Sequence, residues 1–70
     1  MEFRWYEDNY VIDPYNRHVA DVPGYPDWTL RRKWDGSRDE VKIEFKGHHL
    51  GYVKENGESV MQFIDQYAKH

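Results

Sequence analysis

The sequence predicts an α+β domain: a small antiparallel β-meander of five or six short strands, with one C-terminal α-helix packed on one sheet face. Three observations predict it. Val41, Ile43 and Phe45 alternate with Lys42, Glu44 and Lys46, which sets three apolar side chains on one strand face. A tight turn at Gly47-His48 then leads into a second apolar segment, Leu50 to Val53. After Asn56-Gly57 the apolar period becomes helical, with Val60, Ile64 and Tyr67 on one stripe.

Taken in order, Phe3-Arg4-Trp5-Tyr6 reads as a first strand with Phe3 and Trp5 on one face. Tyr10-Val11-Ile12 and His18 to Val22 read as a hairpin around Asp13-Pro14-Tyr15-Asn16-Arg17, where Asp bonds the backbone and Pro presets φ. A competing reading makes Asp13 an N-cap and Pro14 the first residue of a helix ending near Asp21. Val22 to Asp27 reads as a loop, because neither Pro23 nor Pro26 can donate into a ladder. Trp28 to Trp34 is strand-like, with Trp28, Leu30, Arg32 and Trp34 on one face and Thr29, Arg31 and Lys33 on the other. Arg32 thereby falls on the apolar face; a bulge, an edge position or stacking on a Trp ring would resolve it. Asp35 to Asp39 is a polar turn.

The Gly47-His48 turn sets Phe45 opposite Leu50 and Ile43 opposite Tyr52, leaving Val53 on the outer face. Ser59-Val60-Met61-Gln62 matches a capping box. Glu58 suits the N-terminal end of the helix dipole, and Lys69 and His70 the other end.

Seventy residues form a single domain spanning 1–70, with no repeat or linker to divide it. The absence of cysteine excludes disulfides and thiolate metal sites. No apolar run approaches the ~20 residues that span a bilayer. Met1-Glu2-Phe3-Arg4 has neither the basic start nor the apolar core of a signal peptide, so the expectation is a soluble, cytoplasmic protein without membrane partners.

Little in the chain suggests catalysis, and the expectation is a non-enzymatic protein without cofactor. Ser37 and Ser59 sit in a turn and a helix cap, and the acidic pairs Glu7-Asp8 and Asp39-Glu40 fall in turns. Gly47, Gly51 and Gly57 do not form a phosphate cradle between strand and helix. His48 and His49 are adjacent and point to opposite faces of a strand, with no carboxylate at a zinc spacing, so no metal site is expected.

Binding is better supported. Aromatics make up 17% of the chain, more than one small core readily encloses. Trp5, Tyr25, Trp28 and Trp34 are the candidate anchors for a larger protein partner, with Tyr25 held between two proline-bearing turns. The run Trp28 to Trp34 also carries Arg31, Arg32 and Lys33, and an outer sheet face would display Arg31, Lys33, Lys42 and Lys46 around Glu44. Such a stripe suits phosphates or an acidic surface; the plainer alternative is a solvated face with Arg31 paired to Glu44. A net charge of −3 weighs against a general nucleic-acid binder.

Gly47-His48-His49-Leu50-Gly51-Tyr52, followed by a helix bearing Phe63, Tyr67 and Ala68, resembles the end of AP2/integrase arm-binding domains over residues 28–70. The resemblance implies a three-stranded sheet on one helix, with the sheet in the DNA major groove and Arg31, Lys33, Lys42 and Lys46 as contacts. Against it stands an acidic reading: Glu7, Asp8, Asp13, Asp21, Asp27, Asp35 and Asp39 fall mostly in turns and suit a basic partner surface. Small accessory proteins and inhibitors, including phage-encoded ones, share this size and charge. A third reading is a homodimer through Val53 or an unpaired edge strand.

Overall fold

Alternating apolar and polar residues build one antiparallel sheet of five strands in the order β1-β2-β3-β4-β5, crossed by a single helix. The computed structural model describes residues 2–10, 12–37 and 39–69. The strands are β1 (Trp5–Glu7), β2 (His18–Val22), β3 (Tyr25–Arg32), β4 (Glu40–Phe45) and β5 (His48–Lys54), and the helix α1 is Gly57–Ala68. The expected α+β meander is the observed fold. Parts of the sequence-based readings at Met1, Val11, Arg38 and His70 lie outside the described residues.

One row of paired residues, Trp5, Ala20, Leu30, Ile43 and Gly51, crosses all five strands on the face beneath α1. Ala20, Leu30, Val41, Ile43 and Val60 are fully buried there, with Val22, Val53 and Ile64 nearly so. At one end Trp28 meets Phe45 at 4.9 Å between ring centroids and Tyr67 edge-on at 5.2 Å. Edge and tilted pairs of this kind add about 0.5–1.5 kcal/mol each beyond the area they bury. The Trp5 indole donates to Glu55 Oε1 at 2.6 Å, tying β1 to the start of α1 fifty residues away.

Several local readings change. β2 pairs with β1, Trp5 opposite Ala20, and Tyr10 and Ile12 form no strand. The Asp8 carboxylate accepts from Tyr10 N–H and the Asp13 carboxylate from Tyr15 N–H, which turns the chain twice and leaves Tyr10 and Ile12 in solvent. One helical turn does form at Asp13, whose carbonyl accepts from Arg17, but it leads straight into β2. Only Pro23-Gly24 turns between β2 and β3. Pro26 lies inside β3, where a register shift against Asp21–Val22 removes the need for its N–H.

The β4–β5 turn is Lys46-Gly47, with both residues at positive φ (50° and 83°) and Phe45 opposite His48. This is the geometry of a type I′ turn, which matches the twist of flanking strands. A bulge follows, so Glu44 faces His49 while Ile43 faces Gly51. The extra residue on β5 reverses the expected parity: Tyr52 joins the outer face opposite Lys42, and Val53 joins the core opposite Val41. The helix is capped by Asn56, whose side chain accepts from Ser59 N–H at 2.7 Å; Ser59 is the receiving residue and not the cap.

Candidate functional site

The outer face of the sheet carries the row Tyr6, Val19, Arg31, Lys42 and Tyr52. Arg31 therefore sits directly opposite Lys42, a like-charge arrangement that needs compensation. Glu44 supplies part of it, accepting from Arg31 Nε at 3.0 Å, and Asp8 lies 3.5 Å from Arg31 Nη1. The segment between β1 and β2 folds over the same face, so the Asn16 carbonyl accepts from Arg31 Nη1 and its side-chain oxygen from Lys42 Nζ, each at 2.6 Å.

The predicted basic stripe is thus brought together and largely consumed. Arg31 holds Asp8 and Asn16, and Lys42 holds Asn16, against the sheet. Lys33 pairs with Glu40 at 3.3 Å and stands over the Tyr52 ring. Lys46 extends from the hairpin tip beside Phe45. Arg32 stays on the core face of a central strand, with no bulge between β3 and β4. It is satisfied at the open end of the sheet, where its Nε donates to the Gly36 carbonyl at 2.9 Å and Nη1 reaches His18 Nδ1 at 3.3 Å.

Of the four aromatic anchors, Trp28 is 6% exposed and belongs to the core. Trp5 is half-buried against that core and bonded to Glu55. Tyr25 is marginally exposed beside its turn, while Trp34, just past the end of β3, is 66% exposed.

A different set of residues forms an open concavity. Tyr6, Glu7, Asp8, Asn9, Tyr10, Val19, Thr29 and Arg31 line an open groove of about 620 Å³ over β1, β2 and β3. Val19 and Thr29 belong to the sheet that forms its floor, and Arg31 stands there between Asp8 and Glu44. The Tyr6 hydroxyl donates to Asp21 at 3.1 Å, and Tyr10 is 99% exposed. Partial burial, the Asp21 hydrogen bond and the Asp21 and Asp8 charges hold the Tyr6 phenol above its ordinary range, against the opposing pull of Arg31.

One guanidinium, that of Arg31, serves both Asp8 and Glu44. Asp21, on the outer face opposite Thr29, has the Tyr6 hydroxyl, whereas the Glu7 side chain lies on the core face with His18, 3.8 Å from its ring. Of the acidic residues, Asp8 opens a turn, whereas Glu7 and Asp21 lie in β1 and β2. Tyr6 and Tyr10 were not singled out, although the turn former Asp8-Asn9 signals that a following tyrosine leaves the sheet.

Among the described residues no group of His, Cys, Asp and Glu is arranged to hold a metal ion, and no helix is long and apolar enough to cross a membrane. No family model, curated protein or solved structure matches the chain, so the AP2/integrase resemblance gains no support from comparison.

Proposed function

We propose that this chain is a non-enzymatic protein-binding module that engages a larger partner through the groove over β1, β2 and β3. The observation that carries the reading is the pair of tyrosines lining this groove, Tyr6 half-exposed and Tyr10 in solvent. Binding energy concentrates in rings of this kind, which give large contact area for few frozen rotors. The DNA alternative draws less support. A duplex would have to take Arg31 from Asp8 and Glu44, Lys42 from Asn16 and Lys33 from Glu40.

The test is selection from a random-peptide display library on the folded protein, repeated on Tyr6→Ala/Tyr10→Ser. Peptides that enrich on the parent and lose binding to the double variant support the module. Enrichment indifferent to both substitutions refutes the groove as its site.

A further inference from the structure

Three asparagines and one Asp-Gly pair place a side-chain carbonyl within reach of the next backbone nitrogen, and the fold holds these four sites in different ways. We infer that Asn56 is a self-modification site: the Gly57 backbone nitrogen attacks its side-chain amide, water is the only co-reactant, and the cap of α1 sets the pace.

The reaction is an intramolecular acyl transfer. Gly57 N forms a bond to Asn56 Cγ, the Cγ–Nδ2 bond breaks, and ammonia leaves with the proton from Gly57 N. The five-membered imide then takes up one water. Opening at Cγ restores the main chain and leaves aspartate at position 56. Opening at the Asn56 main-chain carbonyl routes the chain through the side chain as isoaspartate. Nothing is oxidised or reduced, and holding nucleophile and carbonyl in one residue pair removes the entropy cost of bringing them together.

The attacking nitrogen must be free of competing bonds and of crowding. At three of the four sites its N–H is already committed. Tyr10 N–H, after Asn9, donates to the Asp8 carboxylate at 3.1 Å. Arg17 N–H, after Asn16, donates to the Asp13 carbonyl at 3.0 Å, and the Asn16 side chain is itself held by Asp13 and Lys42. Gly36 N–H, after Asp35, donates to the Lys33 carbonyl at 2.9 Å. Gly57 differs. It opens α1, where the first N–H groups have no intrahelical acceptor, and the Asn56 side chain takes Ser59 N–H while the Asn56 carbonyl takes Val60 N–H. Gly57 N–H has no acceptor among the described residues. Gly57 also has no Cβ to hinder ring closure, and Asn56 is exposed.

The cap opposes the reaction. Asn56 Oδ1 is held by Ser59 N–H at 2.7 Å, and the backbone is extended there, with φ −151° and ψ 156°. Closing the ring swings the side chain back over its own peptide and turns ψ, so the first turn of α1 must open first. Such local opening is governed by the bonds it loses, here one cap. The two products then part. Aspartate keeps an oxygen for Ser59 N–H and adds negative charge at the positive end of the dipole. Isoaspartate inserts one carbon into the main chain ahead of Gly57, beside Glu55, which holds the Trp5 indole at 2.6 Å. Its effect therefore reaches β1 through the bond that ties this strand to the helix start.

The test is incubation of the folded chain in mildly alkaline buffer with timed peptide mapping by mass spectrometry, isoaspartate being counted with an isoaspartyl carboxyl methyltransferase. Asn56 should convert before Asn9, Asn16 or Asp35 changes. Conversion in urea should run at least about fivefold faster than in the folded chain, since the cap no longer holds. Gly57→Ala, which crowds the nitrogen and favours the helix, should slow conversion in the folded chain by at least about fivefold. The isoaspartate form should melt about 4–8 °C below the parent, the size of one lost cap, with the Trp5 indole N–H resonance displaced. Asn56→Asp should melt with the parent. Conversion of Asn9, Asn16 or Asp35 ahead of Asn56 would overturn the inference, as would an Asn56 that stays amidated throughout. Equal rates in urea and in the folded chain would overturn the role of the cap.

Discussion

Replacing Arg31 by Met keeps the length and the apolar stem while removing every polar contact the guanidinium makes. Three are at stake: Nε to Glu44 at 3.0 Å, Nη1 to the Asn16 carbonyl at 2.6 Å and Nη1 to Asp8 at 3.5 Å. The Arg31 and Glu44 side chains are only 18% and 13% exposed, so solvent screens their pair poorly and Glu44 would be left desolvated. Hydrogen bonds to charged groups contribute about 1.5–3 kcal/mol each, and bonds sharing one group do not add fully. Relief of the Arg31–Lys42 repulsion returns roughly 0.5 kcal/mol. The balance is a loss of about 2–3 kcal/mol. A chain of this length has roughly 4–10 kcal/mol in total. Since each kcal/mol shifts the midpoint of a small domain by about 4–8 °C, Tm should fall by roughly 10–20 °C. Thermal unfolding followed by circular dichroism measures this, and amide exchange across residues 12–18 should accelerate as the segment loosens. Adding Glu44→Gln should recover about 1 kcal/mol, because the stranded carboxylate is gone. A midpoint within about 3 °C of the parent would refute the reasoning and return Arg31 to the pool of available cations.

Further expectations follow from single contacts. Lys46 holds φ at 50° in the hairpin turn, so Lys46→Asn should stabilise the chain by about 0.5–1 kcal/mol in denaturant melts, an Asn-Gly pair being the favoured occupant. Gly36 has φ +81°, and a Cβ there would stand 2.8 Å from the Tyr15 ring. Gly36→Ala should therefore cost about 1–2 kcal/mol, and a preceding Tyr15→Ala should reduce that cost towards the backbone contribution alone. Asn56→Ala removes the cap on Ser59 N–H and should cost about 1 kcal/mol, while Ser59→Ala should cost far less. The folded chain holds the Tyr6 proton more tightly than the unfolded chain, whose phenol titrates near 10. Its contribution to stability is complete below about pH 10 and is lost as pH rises through the folded value. Asp21→Asn should lower that value, read from the ring carbon shift of Tyr6; an unmoved titration would contradict the assigned cause.

The fold was legible wherever two signals agreed. Alternation in Val41–Phe45 and in Trp28–Arg32 placed Leu30, Ile43 and Val41 in the core, and the helical stripe of Val60 and Ile64 was read directly. Errors arose where a single residue sets parity. Period 2 determines which side chains share a face, but the presence of a bulge determines which face it is. Choosing Gly47-His48 over Lys46-Gly47 shifted the register by two residues and kept parity; omitting the bulge exchanged Tyr52 with Val53. Strand partners were less legible, because Asp8 and Asp13 bond their own backbone and remove Tyr10 and Ile12 from any ladder. The site was least legible. Trp28 and Trp34 look equivalent in sequence, yet one closes the core under Tyr67 and the other lies beyond the strand end. Nothing local announces that Asn16 will accept from Arg31 and Lys42 and occupy the basic face.

The extra residue in β5 has a consequence for how copies of the chain behave towards one another. β1 offers only three residues at its outer edge, but β5 offers seven, with no Asp, Glu, Lys or Arg from His48 to Val53. A straight edge of that composition would template sheet growth from molecule to molecule. The kink at His49–Leu50 breaks the regular spacing of outward N–H and C=O groups, and Lys54 places a charge at its end. Deleting Leu50 would preserve every core pairing from Ile43–Gly51 onward and leave a flatter strand. Such a shortened chain should fold yet form aggregates at concentrations where the parent stays dispersed, so the irregularity guards colloidal solubility more than it serves the core.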